Sequence, residues 1–136
     1  MVSGNSDDAK RFHGAWRYLG ATQDGKPRAD RGANAKGMIY YDSSGAMSVQ
    51  VAPDCERPKA AAEPTPAEAK AALAGYIAYF GSYTVDERAR TVTHHRQGSV
   101  QPGDTADLVR GYEFRGDRLI LRPPGTTYEV VWERIK

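Results

Sequence analysis

Along most of this chain, apolar and polar positions alternate with a period of two, and only once does the spacing become helical. "FHGAWRYLGATQ" alternates after Gly14, placing Trp16 and Tyr18 on one face, and stops at the turn signal "QDGKP". "GMIYYDSSGAMSVQV" reads as a hairpin of runs 37–42 and 46–52 around "DSSG", with Ile39 and Tyr41 on one face of the first run and Met47, Val49 and Val51 on one face of the second. "SYTVDERARTVTHHRQ" is a second hairpin with a polar turn at 86–90. "DLVRGYEFRGDRLILRP" is a third, turning at Gly116 and Asp117, and "TYEVVWERI" is a last strand. Residues 23–36, rich in Gly, Asp, Asn, Lys and Arg, suit a loop at a barrel mouth or a linker.

The helical stretch follows the Pro- and Ala-rich connection "APDCERPKAAAEP". In "TPAEAKAALAGYIAYFG", Thr65 is placed as N-cap, Pro66 fills the first helical position and Glu68 completes a capping box. Leu73, Tyr76, Ile77 and Phe80 fall on one stripe, so the spacing predicts an amphipathic helix over about 66–80, ended by Gly81 and laid on the strands as a lid or floor. Eight strands joined mostly by short turns, with one helix between the third and fourth, predict an all-β fold: an eight-stranded up-and-down antiparallel barrel. Its interior has room for packed side chains or one small ligand. A chain of 136 residues suits one domain, expected over 11–136, with 1–10 a flexible N-terminal tail.

Charge and composition narrow the function classes. Nineteen Lys and Arg against 17 Asp and Glu give a formal charge of +2 with no basic cluster, which argues against nucleic acid. No apolar run approaches the roughly 18 residues of a membrane span, and "MVSGNSDDAK" lacks a signal-peptide core, so a cytoplasmic protein without a membrane partner is expected. Cys55 is the only cysteine, in a Pro-rich loop where a bystander thiol is expected. His94 and His95 are adjacent on a strand and diverge, and His13 lies near the tail, so no metal site is expected, nor any cofactor. Neither a Gly-x-Ser-x-Gly elbow nor a phosphate-binding glycine loop occurs.

Gly14-Ala15-Trp16 in the first strand matches the Gly-x-Trp signature of lipocalin-type barrels, and Arg134 in "VWERI" stands where a late arginine packs across that tryptophan. "GMIYYDSSGAMSVQV", "GYIAYFGSYTVDE", "TVTHHRQGS" and "RGDRLIL" occur in the order found in the small bacterial and fungal lipocalin-like domain family, which the chain resembles from about Gly14 to Arg134. The resemblance implies a calycin-type, lipocalin-like barrel. Secreted lipocalins carry disulfide cysteines and a Thr-Asp-Tyr loop motif that are missing here, so their transport functions are not implied.

Strand parity then selects the interior. His94 shares a face with Val92 and is expected inward, leaving His95 outward. The same test turns Arg110, Tyr112 and Phe114 inward with Leu108. The candidate ligand-binding residues are Tyr18, Tyr41, Met47, Val49, Tyr76, Tyr83, Phe114 and Trp132; His94, Arg110 and Tyr112 are the candidates for chemistry. A buried arginine needs a partner: a ligand oxyanion would serve, and the alternatives are an inward carboxylate such as Glu129, stacking on an aromatic ring, or a reach to solvent at the rim. Two functions fit. In one, the barrel binds a small, largely apolar molecule with an anionic or carbonyl end. In the other, a cofactor-free cyclase, isomerase or lyase, suited to bacterial secondary metabolism, uses His94 as general acid/base and Arg110 with Tyr112 or other tyrosines as oxyanion stabilisers.

Overall fold

The computed structural model of the chain describes residues 7–28, 32 and 34–136. Where the sequence alternates, burial alternates with it. In β3 (Lys36–Tyr41) and β4 (Ala46–Ala52), Ile39, Tyr41, Met47, Val49 and Val51 are buried, while Met38, Tyr40, Ser48 and Gln50 are exposed. With β1 (Gly14–Gln23), β5 (Ile77–Asp86), β6 (Thr91–Ser99), β7 (Leu108–Arg115), β8 (Arg118–Arg122) and β9 (Tyr128–Arg134), they form one antiparallel ring in the order β1-β3-β4-β5-β6-β7-β8-β9. β9 returns to β1 from Trp16↔Arg134 to Gln23↔Tyr128, closing the eight-stranded barrel and removing its sticky edges.

The chain departs from the sequence expectation at three places. Asp24 and Gly25, with φ of 52° and 78°, make a two-residue turn into β2 (Lys26–Arg28), a short ninth strand paired outside the ring with the end of β1. The loop expected over 23–36 is therefore partly strand, and its residues 29–31 and 33 lie outside the described residues.

The second departure is at the N-terminus. Of the expected tail, residues 1–6 lie outside the described residues, but 7–10 belong to the helix α1 (Asp7–Phe12). Ala9 and Phe12 are wholly buried, and the Phe12 ring meets Tyr41, Tyr112 and Phe114 edge-on at 5.1, 5.0 and 5.0 Å. Glu87 accepts the backbone N–H of Asp8 at 2.8 Å, and Tyr112 donates its hydroxyl to the Asp8 carboxylate. α1 thus plugs one end of the barrel.

The third concerns the predicted helix. α2 spans Pro66–Leu73 and starts as expected, with Thr65 and Glu68 forming both bonds of the capping box. It stops well short of residue 80, because Ala74 is extended and Gly75 takes φ of 73°. From Ile77 onward the chain pairs with both β4 and β6. The alternating residues Ile77, Tyr79, Tyr83 and Val85 gain two ladders as a strand and would gain none as a helix. α2 buries none of its residues and Leu73 is 43% exposed, so it packs no apolar face on the barrel.

The family-like pair at the closed end joins α1 to the ring. Arg134 lies over Trp16, 4.1 Å from the ring centroid, and donates to the carbonyls of His13 (2.8 Å) and Arg11. Trp16 Nε1 donates to the carbonyl of Phe12 at 2.8 Å. Three side-chain N–H groups thus satisfy carbonyls that the end of a helix leaves without partners.

Candidate functional site

The end opposite α1 is open to a cavity of about 460 Å³. Its apolar wall is made by Ile39, Val49, Val51, Leu121 and Val130, which share the inward faces of β3, β4, β8 and β9. Its rim is formed where β4 leads to β5, β6 to β7 and β8 to β9, with Tyr76, Ile77, Gln101, Asp104, Pro123 and Tyr128 contributing. This volume is within the range of small-molecule sites.

β6 carries the polar part of the wall. His94 is 2% exposed and points inward with Val92, whereas His95 points outward to Thr84 (2.9 Å) and Asp107 (3.1 Å). A register shift opposite Phe80 and Gly81 pairs Gly81 with Arg96 and Phe80 with Gly98, leaving Gln97 as the extra residue. The shift lies beyond His94, so its parity is kept, and inward positions continue at Arg96 and Ser99. Gly81 is needed for this approach: a Cβ there would stand 1.9 Å from the carbonyl oxygen of His95.

Both imidazole nitrogens of His94 are occupied by tyrosines. Tyr41 Oη lies 2.6 Å from Nε2, and Tyr79 Oη lies 2.8 Å from Nδ1. Burial, reinforced by the Arg110 charge, lowers the His94 pKa to about 3, so the ring is neutral at physiological pH and carries one proton. Tyr41 is fully buried, and His94 is its hydroxyl's sole partner among the described residues. Were Nε2 the protonated nitrogen, Tyr41's own O–H would lack an acceptor, at a cost of about 1–3 kcal/mol. Tyr41 therefore donates to Nε2, Nδ1–H donates to Tyr79, and the Tyr79 proton remains available to an occupant of the cavity that Tyr79 lines. Burial pushes the Tyr79 hydroxyl up to about 12 against the opposing effect of Arg110, and pushes Tyr41 well above its ordinary value, so both keep their protons.

Two guanidiniums line the same cavity. Arg96, over the Tyr79 ring at 5.5 Å, is committed to the Ala106 carbonyl (2.8 Å) and the Asp104 carboxylate (2.7 Å). Arg110 donates only to the neighbouring carbonyl of Val109 at 2.9 Å and has no carboxylate within ion-pair distance among the described residues. Glu129, the carboxylate expected for it, is paired with Arg122 instead.

Of the residues singled out from the sequence, His94, Arg110, Tyr18, Val49, Tyr76 and Trp132 meet at this cavity. Tyr112 does not: its hydroxyl is bound to Asp8 and its ring to Phe12 at the closed end. Phe114 packs there on Phe12, under Arg11 at 4.2 Å. Tyr83 donates to the Asp42 carbonyl at 2.9 Å, Met47 is core, and Tyr41 stands behind His94, touching the cavity only through it. Parity fixes a side chain's face but not its height in the barrel, and the plug occupies the half where these residues lie. Tyr79, Arg96 and Asp104 were missed. The period-two run from Ile77 to Val85 was the available signal for Tyr79, masked by the helical stripe that overlaps it.

Among the described residues, no group of three His, Cys, Asp or Glu side chains is placed to hold a metal, and no helix is long and apolar enough to cross a membrane. None of the curated proteins compared with the chain matches it. The model of the lipocalin-like domain matches residues 13–135, nearly the entire barrel just described, and the chain therefore belongs to the lipocalin-like domain family.

Proposed function

We propose that this barrel binds a small, largely apolar organic molecule by an anionic or carbonyl end. The observation that carries the reading is Arg110, a permanent cation in the wall of a largely apolar and aromatic cavity, with no carboxylate within ion-pair distance among the described residues. A ligand oxygen would supply that partner, assisted by the Tyr79 hydroxyl. The single cysteine, exposed Cys55, suits action in a reducing cytoplasm.

A paired probe tests this directly. 8-Anilinonaphthalene-1-sulfonate and N-phenyl-1-naphthylamine share a scaffold and differ in the sulfonate. Arg110→Met is expected to weaken the sulfonate probe about tenfold to a hundredfold, the size of one charge-assisted hydrogen bond, and to leave the uncharged probe unchanged. Equal weakening of both would remove Arg110 from the reading.

The Tyr41-His94-Tyr79 chain, ending at the cavity, favours a second reading in which the cavity also promotes a cofactor-free cyclisation, isomerisation or elimination. In it Tyr79 and Arg110 stabilise a developing oxyanion. His94 is not the acid/base on this reading, because it stays neutral and has both nitrogens engaged. Full proton delivery from the chain would leave Tyr41 as a buried phenolate, so its part is to donate a hydrogen bond and not to release a proton. Turnover of a bound compound lost in Tyr79→Phe, with binding retained, would establish it.

A further inference from the structure

Resting on the binding reading above, we propose that the cavity takes the polar end of its ligand as a delocalised oxyanion, a phenolate or an enolate, in preference to the neutral hydroxyl form of the same compound. The inference follows from the direction of hydrogen bonding along one wall. The buried Tyr41 hydroxyl must donate to His94, so His94 donates to Tyr79 and Tyr79 must donate to whatever enters. Arg110 has only donors to offer, and its one acceptor among the described residues is its neighbour's carbonyl. An incoming neutral hydroxyl therefore brings a proton to two side chains that already donate. For Tyr79 to take that proton in place of the one it accepts from His94 Nδ1, the chain would have to reverse and strand the Tyr41 hydroxyl. An oxyanion asks for no such reversal.

Charge acts in the same direction. Among the described residues the charged groups lining the cavity are Arg96, Asp104 and Arg110, two guanidiniums against one carboxylate, and the Asp104 charge is taken up by Arg96. Burial keeps His94 neutral and Tyr79 protonated at physiological pH, so neither adds a charge there. Aromatic rings at Tyr18 and Trp132, edge to face at 5.4 Å, suit a flat conjugated body. A phenolate or enolate spreads its charge into such a body and loses less hydration on entry than a carboxylate does.

The test uses 7-hydroxycoumarin, whose phenol and phenolate are excited at different wavelengths, and 7-methoxycoumarin, which cannot ionise. Wild-type protein is expected to bind the first as phenolate, with the midpoint of its ionisation at least one pH unit lower than in buffer, and to bind the second at least tenfold more weakly. Tyr79→Phe and Arg110→Met are each expected to move the midpoint back towards its value in buffer. The wild-type comparison stands without either variant. Equal binding of the two coumarins with an unshifted midpoint would overturn the proposal and leave the binding reading standing. Tighter binding of coumarin-3-carboxylate than of 7-hydroxycoumarin would overturn it in favour of a carboxylate ligand. Failure of all three coumarins while N-phenyl-1-naphthylamine binds would also overturn it, and failure of these four probes and of 8-anilinonaphthalene-1-sulfonate would remove the binding reading with it.

Discussion

The hydroxyl of Tyr41 lies 2.6 Å from Nε2 of His94, and neither residue has more than a trace of exposure. Removing the hydroxyl leaves a dry nitrogen with no donor. Tyr41→Phe is therefore expected to cost about 1–3 kcal/mol in urea unfolding, with the aromatic packing of Phe12 and Tyr83 on that ring retained. Nitrogen NMR of His94 would show the proton redistributing between Nδ1 and Nε2 once the hydroxyl that fixes it is gone.

Stability should also follow the ionisation of His94. Burial holds its pKa near 3, against 6.5 for an exposed imidazole, so the unfolded chain binds a proton that the folded one does not. Its contribution is fully present above about pH 6.5 and is lost as the pH falls from there towards 3. Between pH 7 and 4.5 this one group is expected to remove on the order of 2–3 kcal/mol. His94→Gln should flatten the difference between unfolding free energies at those two pH values, and a wild-type profile that the substitution leaves unchanged would contradict a buried neutral ring.

The barrel itself was legible because each half-buried strand writes its burial into every second residue, and Trp16 with Arg134 marked its ends. The inward turn of His94 followed from one neighbour, Val92, since the bulge that could have reversed it falls later, at Gln97. The plug was not legible: Ala9 and Phe12 are two apolar residues in a polar stretch, and only the aromatic pocket they enter shows what they do. The end of α2 was hidden by coincidence, because Leu73, Ile77 and Phe80 satisfy a helical stripe while Ile77, Tyr79, Tyr83 and Val85 satisfy a strand. Long-range pairing decided between them, and a stretch read by itself does not contain its partners.

Closure of the plugged end depends on a glycine. Gly14 has φ of 117°, and a Cβ there would stand 3.3 Å from a guanidinium nitrogen of Arg134. Gly14→Ala is expected to destabilise the protein by about 1–3 kcal/mol through backbone strain. Arg134→Met should cost about 2–3 kcal/mol by freeing the Arg11 and His13 carbonyls and uncovering Trp16. Because both changes act on one contact, the double variant should lose less than the sum, which thermal or urea unfolding of the four proteins would measure.

Arg110 is expected to behave in the opposite way. A guanidinium held in a cavity wall, with no carboxylate partner and only the Val109 carbonyl among the described residues, gives up hydration for little return, so in the empty barrel it contributes little to stability and opposes it where it is least hydrated. Arg110→Met keeps the length of the stem and removes the charge. Because the side chain is only partly buried, solvent screens much of the effect, and the variant should be as stable as wild type or more stable by about 0.5–1 kcal/mol. The same variant should lose the anionic probe. Stability preserved while anion binding falls is the signature of a residue kept for its ligand; a structural arginine of the Arg134 kind would lose both together.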